Sequence, residues 1–216
     1  MAVIIAQTNR RVLDVLESRE KARVVKYLRE GQQSGLFAHV CEVTPDMWDA
    51  YVEATREVFG EAVAIVSDRF PVMKNFQEQL TAARRELQRA LPAEEARALK
   101  GSRWLWLTNP ENLEEGQLQQ LTALRTQFPS LAHLADHREA LRQIFDDPTL
   151  TTPAAGAAQL ASWTVSAHAM GLPAVNKFCD TLERWRDKIA NSFLSRASNG
   201  PTEGFNNGLR TLLRRT

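Results

Sequence analysis

The hydrophobic period of this chain changes at Asp68, and that change limits what it can fold into more than any other feature. Ahead of Asp68, short β-branched apolar runs alternate with helical stretches; behind it, residues 69–197 carry helical patterns only. The first run, Val3–Ala6, is followed by a polar turn at Gln7–Arg10 and a second run at Val12–Leu16, which predicts a β-hairpin. A helix is expected over Glu20–Glu30 with Val24, Val25 and Leu28 on one face, closed by Gly31–Gly35. Phe37–Val43 reads as a strand. Thr44, Pro45 and Asp46 then read as a helix start, with Thr44 as cap and Pro45 in the first turn, leading into MWDAYVEATREVFG. Ala62–Val66, bounded by Gly60 and by Ser67 and Asp68, reads as a buried strand, and strand, helix, strand in this order is the βαβ logic of a mixed sheet.

Beyond Asp68, Met73, Phe76, Leu80, Ala83, Leu87 and Ala90 alternate spacings of three and four, the signature of one long amphipathic helix that Pro92 interrupts. Turn signals at Gly101, Asn109 and Pro110, Phe128–Ser130, Asp147–Pro153 and Gly171–Pro173 divide the remainder into helices, and TTPAAGAA at Thr151–Ala158 reads as an exposed loop. No fixed-period repeat and no low-complexity linker breaks the chain. With 216 residues and 44% hydrophobic content a buried core is assured, whereas a formal charge of +1 gives no global footprint for a polyanion. Charge is concentrated locally instead, in Arg69, Lys74, Arg84, Arg85 and Arg89, and in Arg196, Arg210, Arg214 and Arg215. Cys41 and Cys179 have no CxxC spacing and read as reduced thiols of a cytoplasmic protein, and no apolar run reaches the ~20 residues of a membrane span.

The segment Ser198–Arg215 reads as a helix with Ser198 or Asn199 as cap, Pro201 in the first turn and Glu203 near the positive end of the dipole. Phe205, Leu209, Leu212 and Leu213 fall on one face, and Glu203, Asn207, Arg210 and Arg214 on the opposite one. One carboxylate leading a stripe of amide and guanidinium groups suits a divalent metal beside phosphates; it equally suits a capped amphipathic surface helix. His133 and His137 have the i, i+4 spacing of two zinc ligands, with no third ligand nearby in sequence. Trp104, Trp106, Trp163 and Trp185 sit in helical apolar patterns that read as packing rather than base stacking. No GxGxxG, GxxxxGK or GxSxG sequence supports nucleotide or serine-hydrolase chemistry.

SNGPTEGFNN followed by a basic apolar helix resembles the block around the last catalytic acid of bacterial insertion-sequence transposases of the DDE superfamily, and more narrowly of their ISL-three group. The likeness extends through VSDRFPVMKNF, WLWLTNPENL and the spaced Trp163 and Trp185, over nearly the whole chain. The resemblance implies an α/β fold: a partial ribonuclease-H-like mixed sheet at the N-terminus, a large all-helical insertion and a C-terminal catalytic helix. The core would comprise residues 1–68 and 198–216, and the insertion residues 69–197. It implies metal-dependent cleavage and transfer of DNA strands on two divalent ions, Mg or Mn, with Asp46 as second acid, Glu203 as third, and both as metal ligands. Asp68 matches a motif acid thought to support the site, or serves as second acid itself; the position usually held by His after it is Pro71 here. Arg196, Asn207, Arg210, Arg214 and Arg215 would contact DNA at the insertion-sequence ends. Family members carry the first acid on a strand just ahead of one resembling AVIIA, and this chain starts inside that second strand. The expectation is therefore a truncated catalytic domain, inactive by itself, with oligomers formed with itself or with intact transposase, and no membrane partner. The alternative is a catalytically dead DNA-binding or transposase-interacting remnant; an unrelated helical interaction module would require the N-terminal strands to be absent.

Overall fold

The computed structural model describes residues 1–197 and Gly200, and two compact units divide the chain. The first comprises residues 1–70 with the described residues from Asp187 onward; the second comprises Pro71–Arg186.

In the first unit, β1 (Ala2–Ala6) and β2 (Arg11–Leu16) form the expected antiparallel hairpin, Ala2 facing Leu16, with a register shift between Ile4 and Ile5. The turn is a short 3-10 segment closed by Arg10 in the left-handed region (φ 54°), where Asn9 Oδ1 accepts from the Arg11 amide at 3.2 Å and holds the reversal. The helix α1 (Lys21–Gln33) runs three residues past the predicted end. Gly31 does not stop it because its φ stays helical; the missing side chain instead makes room for the Phe37 ring, which a Cβ at Gly31 would overlap. Phe37 is the pivot of this core. It meets Tyr27 and Phe59 edge-on at 5.8 and 6.2 Å, and Leu16, Val24, Val25, Leu28 and Ala54 bury alongside it.

That packing overturns the strand expected over Phe37–Val43. Backbone bonds from Phe37 to Gly31, Ala38 to Gly35 and Val40 to Phe37 turn the chain locally, so only Glu42–Val43 remains extended as β3. The next helix, α2, covers Asp49–Phe59 with Trp48 as its N-cap, so Thr44–Asp46 are loop rather than helix start. Gly60, at φ 60°, ends α2 and turns the chain into β4 (Ala64–Ile65), shorter than the predicted Ala62–Val66 although Val63, Ile65 and Val66 are all buried. β3 and β4 pair in parallel across α2, the βαβ arrangement read from sequence. Among the described residues they form a sheet separate from the hairpin, in place of one mixed sheet.

No strand occurs among the described residues after β4. The predicted long helix is α3 (Arg69–Ala90), ending ahead of Pro92. Its successors are α4 (Ala93–Leu99), α5 (Arg103–Leu107), α6 (Glu115–Gln127), α7 (Pro129–Asp146), α8 (Pro153–His168), α9 (Pro173–Arg184) and α10 (Arg186–Ser195). Pro129, Pro153 and Pro173 each occupy the first helical position, where a missing N–H costs nothing. This corrects the exposed loop expected at Thr151–Ala158. Thr152 caps α8 by accepting from the Ala155 amide at 3.2 Å, and the alanines behind Pro153 carry the highest helix propensity of any residue. The core of the second unit is a triangle of Phe76, Trp163 and Phe178, with ring centroids 5.0 to 5.8 Å apart. Trp106 and Trp185 are buried as expected. Trp104 is not: it is 64% exposed, because α5 turns Leu105, Trp106 and Leu107 inward and leaves Trp104 outside.

Replacing Gly31 by Ala tests the Phe37 pivot. Helix propensity alone would favour Ala by up to about 1 kcal/mol, whereas overlap with a buried ring costs about 1–3 kcal/mol. The expected outcome is net destabilisation in urea denaturation.

Candidate functional site

The parallel pair β3–β4 sets Glu42 opposite Ala64 and Val43 opposite Ile65. Asp46 follows the end of β3 by three residues, and Asp68 follows the end of β4 by three. Two carboxylates therefore leave the same end of adjacent parallel strands, the edge at which open α/β sheets take their ligands. Burial separates their roles. Asp46 is exposed in the loop ahead of α2, outside that helix's first turn, so it does not serve the α2 dipole. Asp68 is 3% exposed, and its Oδ1 accepts from the Phe70 amide at 2.9 Å, which makes it the cap of α3.

Around Asp46 stand side chains that no local spacing announces. Arg19, from the loop after β2, donates from Nε to Tyr51 Oη at 3.3 Å and lies over the exposed Trp48 ring, 5.7 Å from its centroid. The hydrogen bond to Tyr51 raises the guanidinium pKa most, and the Asp46 charge adds to it. Arg19 and Asp46 are 27 positions apart, and only the packing of α1 on α2 brings that loop and the α2 N-terminus together. A second unannounced element is α10. The Ser67 amide donates to the Lys188 carbonyl at 2.8 Å, and Asn191 Nδ2 donates to the Ile65 carbonyl at 2.9 Å, so α10 is bound to β4 and its extension.

Of the predicted DNA contacts, Arg196 has φ 55° and sets its guanidinium over the Phe193 ring at 5.5 Å. Glu203, Asn207, Arg210, Arg214 and Arg215 lie outside the described residues. Among the described residues no group of three or more His, Cys, Asp or Glu is placed to hold a metal ion. His137 is engaged elsewhere, Nδ1 with the His133 carbonyl at 2.9 Å and Nε2 with Ser166 Oγ at 3.1 Å. Cys41 and Cys179 are both free thiols, and burial pushes the Cys179 thiol up to about 11. No helix among the described residues is long and apolar enough to cross a membrane.

The family model described as Transposase, that of the ISL-three group of DDE transposases, matches residues 1–216. The chain belongs to this family. No curated protein and no solved structure matches it. Two motif blocks of the transposase acquire structural meaning from the helical unit. In WLWLTNPENL, Trp106 Nε1 donates to Ser102 Oγ at 3.2 Å, and Asn109 Oδ1 accepts from the buried Arg138 at 2.6 Å. In VSDRFPVMKNF, Asp68 caps α3 while Val72 and Phe76 bury.

Exchange of Asp68 separates capping from chemistry. Asp68→Ala is expected to cost about 0.5–2 kcal/mol of stability in urea titration, and Asp68→Asn to recover most of it, because the amide oxygen still accepts from the Phe70 amide. Loss of DNA cleavage in a stably folded Asp68→Asn protein would give Asp68 a chemical role as well.

Proposed function

We propose that this transposase acts on insertion-sequence DNA by metal-dependent strand cleavage and transfer, with Asp46 and Glu203 as catalytic carboxylates on a ribonuclease-H-like core. The observation that carries this reading is the family match over the whole sequence given, joined to the position of Asp46 past the carboxyl end of β3. The bonds from α10 to β4 add support: the chain enters the segment bearing Glu203 from a helix attached to the second strand of the pair. Residues 1–68 with 198–216 as core and 69–197 as insertion remain our proposed division.

The donor chemistry fits the metal. Asp46 and Glu203 offer hard oxygen ligands, which magnesium and manganese prefer over nitrogen or sulfur. When bound, two such ions stabilise the attacking and leaving oxygens of an in-line displacement at phosphorus. The protein's own part is to hold the strand. Arg196, Asn207, Arg210, Arg214 and Arg215 supply phosphate contacts in this proposal, and Arg19 places a fixed guanidinium beside Asp46. Work on chromosomal DNA puts the protein in the bacterial cytoplasm. The competing reading is a DNA-binding protein without cleavage activity, favoured by Asp68 being buried as the cap of α3 while Asp46 is exposed.

Incubation with magnesium or manganese and DNA carrying the element's ends decides between them. Nicking that depends on metal and vanishes in Asp46→Asn and Glu203→Gln supports catalysis; binding with no nicking in the unaltered protein supports the competing reading. Exchange of Arg210 and Arg214 together for Ala should lower the salt dependence of duplex binding by roughly two units of slope, one per lost phosphate contact. A slope equal to that of the parent protein would remove these two residues from the interface.

A further inference from the structure

Several arginines of the helical unit are neutralised by carboxylates. Arg125 pairs with Asp136 at 2.7 Å, Arg186 with Glu183 at 3.0 Å, and Arg142 with Glu139, Asp146 and Glu111 at 2.6, 2.8 and 3.3 Å. The group formed by the second half of α3 and the start of α5 differs. Between Arg84 and Arg103 six basic residues stand against three acids, Glu86, Glu94 and Glu95. Among the described residues no ion pair involves Arg84, Arg85 or Arg103.

Arg84 is buried, and its partners are neutral: Nη1 donates to the Leu99 carbonyl at 2.7 Å and to Gln88 Oε1 at 3.0 Å, while Nε finds none. Its pKa is lowered first by burial and then by the charges of Arg85 and Arg103, with no carboxylate offsetting them. Arg103 donates from Nε to Thr81 Oγ1 at 3.5 Å, which ties α5 to α3. Its guanidinium lies 4.5 Å from the ring centroid of Trp104, the 64%-exposed indole. The frame beneath is fixed, since Ser102 Oγ donates to the same Leu99 carbonyl at 2.9 Å and accepts from Trp106 Nε1 at 3.2 Å. Like charges held together without counter-ions cost stability, and a large exposed indole gains nothing from packing; an anion with a flat apolar face would relieve both.

We infer that Arg85, Arg103 and Trp104, set over the buried charge of Arg84, form a binding site for single-stranded DNA within the helical unit, the Arg85 and Arg103 guanidinium groups meeting the phosphate backbone and Trp104 stacking an unpaired base. The inference rests on the proposed action on DNA. Arg85 is exposed and free to reach a phosphate; Arg103 is held beside the indole, so the charge and the stacking surface are presented together. Duplex DNA offers phosphates but keeps its bases stacked, so Trp104 discriminates between the two forms.

The test is fluorescence anisotropy of the whole protein with a labelled oligothymidylate and with a duplex of equal length. Trp104→Ala should weaken single-strand binding roughly tenfold and duplex binding far less, and Trp104→Phe should restore most of the loss. Arg85→Gln with Arg103→Gln should lower the single-strand salt slope by about 1.4, at ~0.7 per phosphate. Trp104 is exposed, so circular dichroism should find the variant folded. Unchanged affinity of Trp104→Ala, or an equal loss on both DNA forms, would each overturn the inference. Nicking of the element's ends, measured in parallel with Glu203→Gln as control, reports on the catalytic reading separately.

Discussion

Two hydrogen bonds tie α10 into the first unit: Ser67 N–H to the Lys188 carbonyl, and Asn191 Nδ2 to the Ile65 carbonyl across 126 positions of sequence. Between them the chain leaves for the whole of Pro71–Arg186 and returns. Closing so long an excursion has an entropic cost that grows only logarithmically with length, so an insertion of this size is tolerable provided its ends are anchored. The anchor is on β4, a two-residue strand with one parallel partner. Such a short pair has few ladder bonds of its own. The helix α10 satisfies polar groups that the pair cannot, and it stands immediately ahead of the block SNGPTEGFNN in the chain. The structural anchor and the approach to the proposed catalytic acid are therefore one element.

The first unit's core shows how a short glycine and a large ring can replace a strand. Gly31 keeps α1 helical while leaving a space, Phe37 fills it, and the chain from Ser34 to Val40 is spent in turns around that contact. The ion pairs between α1 and α2, Lys21 with Glu53 and Glu57 and Arg29 with Glu57, lie at the surface. Exposed pairs of this kind contribute little, so the apolar contact decides the geometry. That geometry in turn brings Arg19 to Tyr51 and near Asp46.

Electrostatics in this transposase is a matter of distribution. A net charge of +1 conceals a helical unit in which some guanidinium groups are locked to carboxylates and others are left facing one another. Arg142 and Glu139 illustrate the first kind: the hydrogen bonds from Arg142 hold the Glu139 carboxyl below its ordinary range. Arg84 illustrates the second, carrying a charge into a place where only neutral oxygens meet it.

Local chemistry was legible in the sequence. The hairpin, α1, the long α3, the βαβ order and the all-helical character of the described residues behind Asp68 follow from period, caps and prolines, because each depends on neighbours within about four positions. Family membership followed from short motif blocks for the same reason. Other features depended on contacts that no window of sequence contains. Phe37 became a core plug rather than a strand residue because α1 and α2 close on it, and Trp104 alone of the four helical-unit tryptophans stayed outside because α5 turns Leu105, Trp106 and Leu107 inward instead. Asp46 and Asp68 read alike in sequence, as acids after strands. Only the tertiary structure made one an exposed loop carboxylate beside Arg19 and the other a buried cap, since burial and partners are set by elements that arrive from elsewhere in the chain.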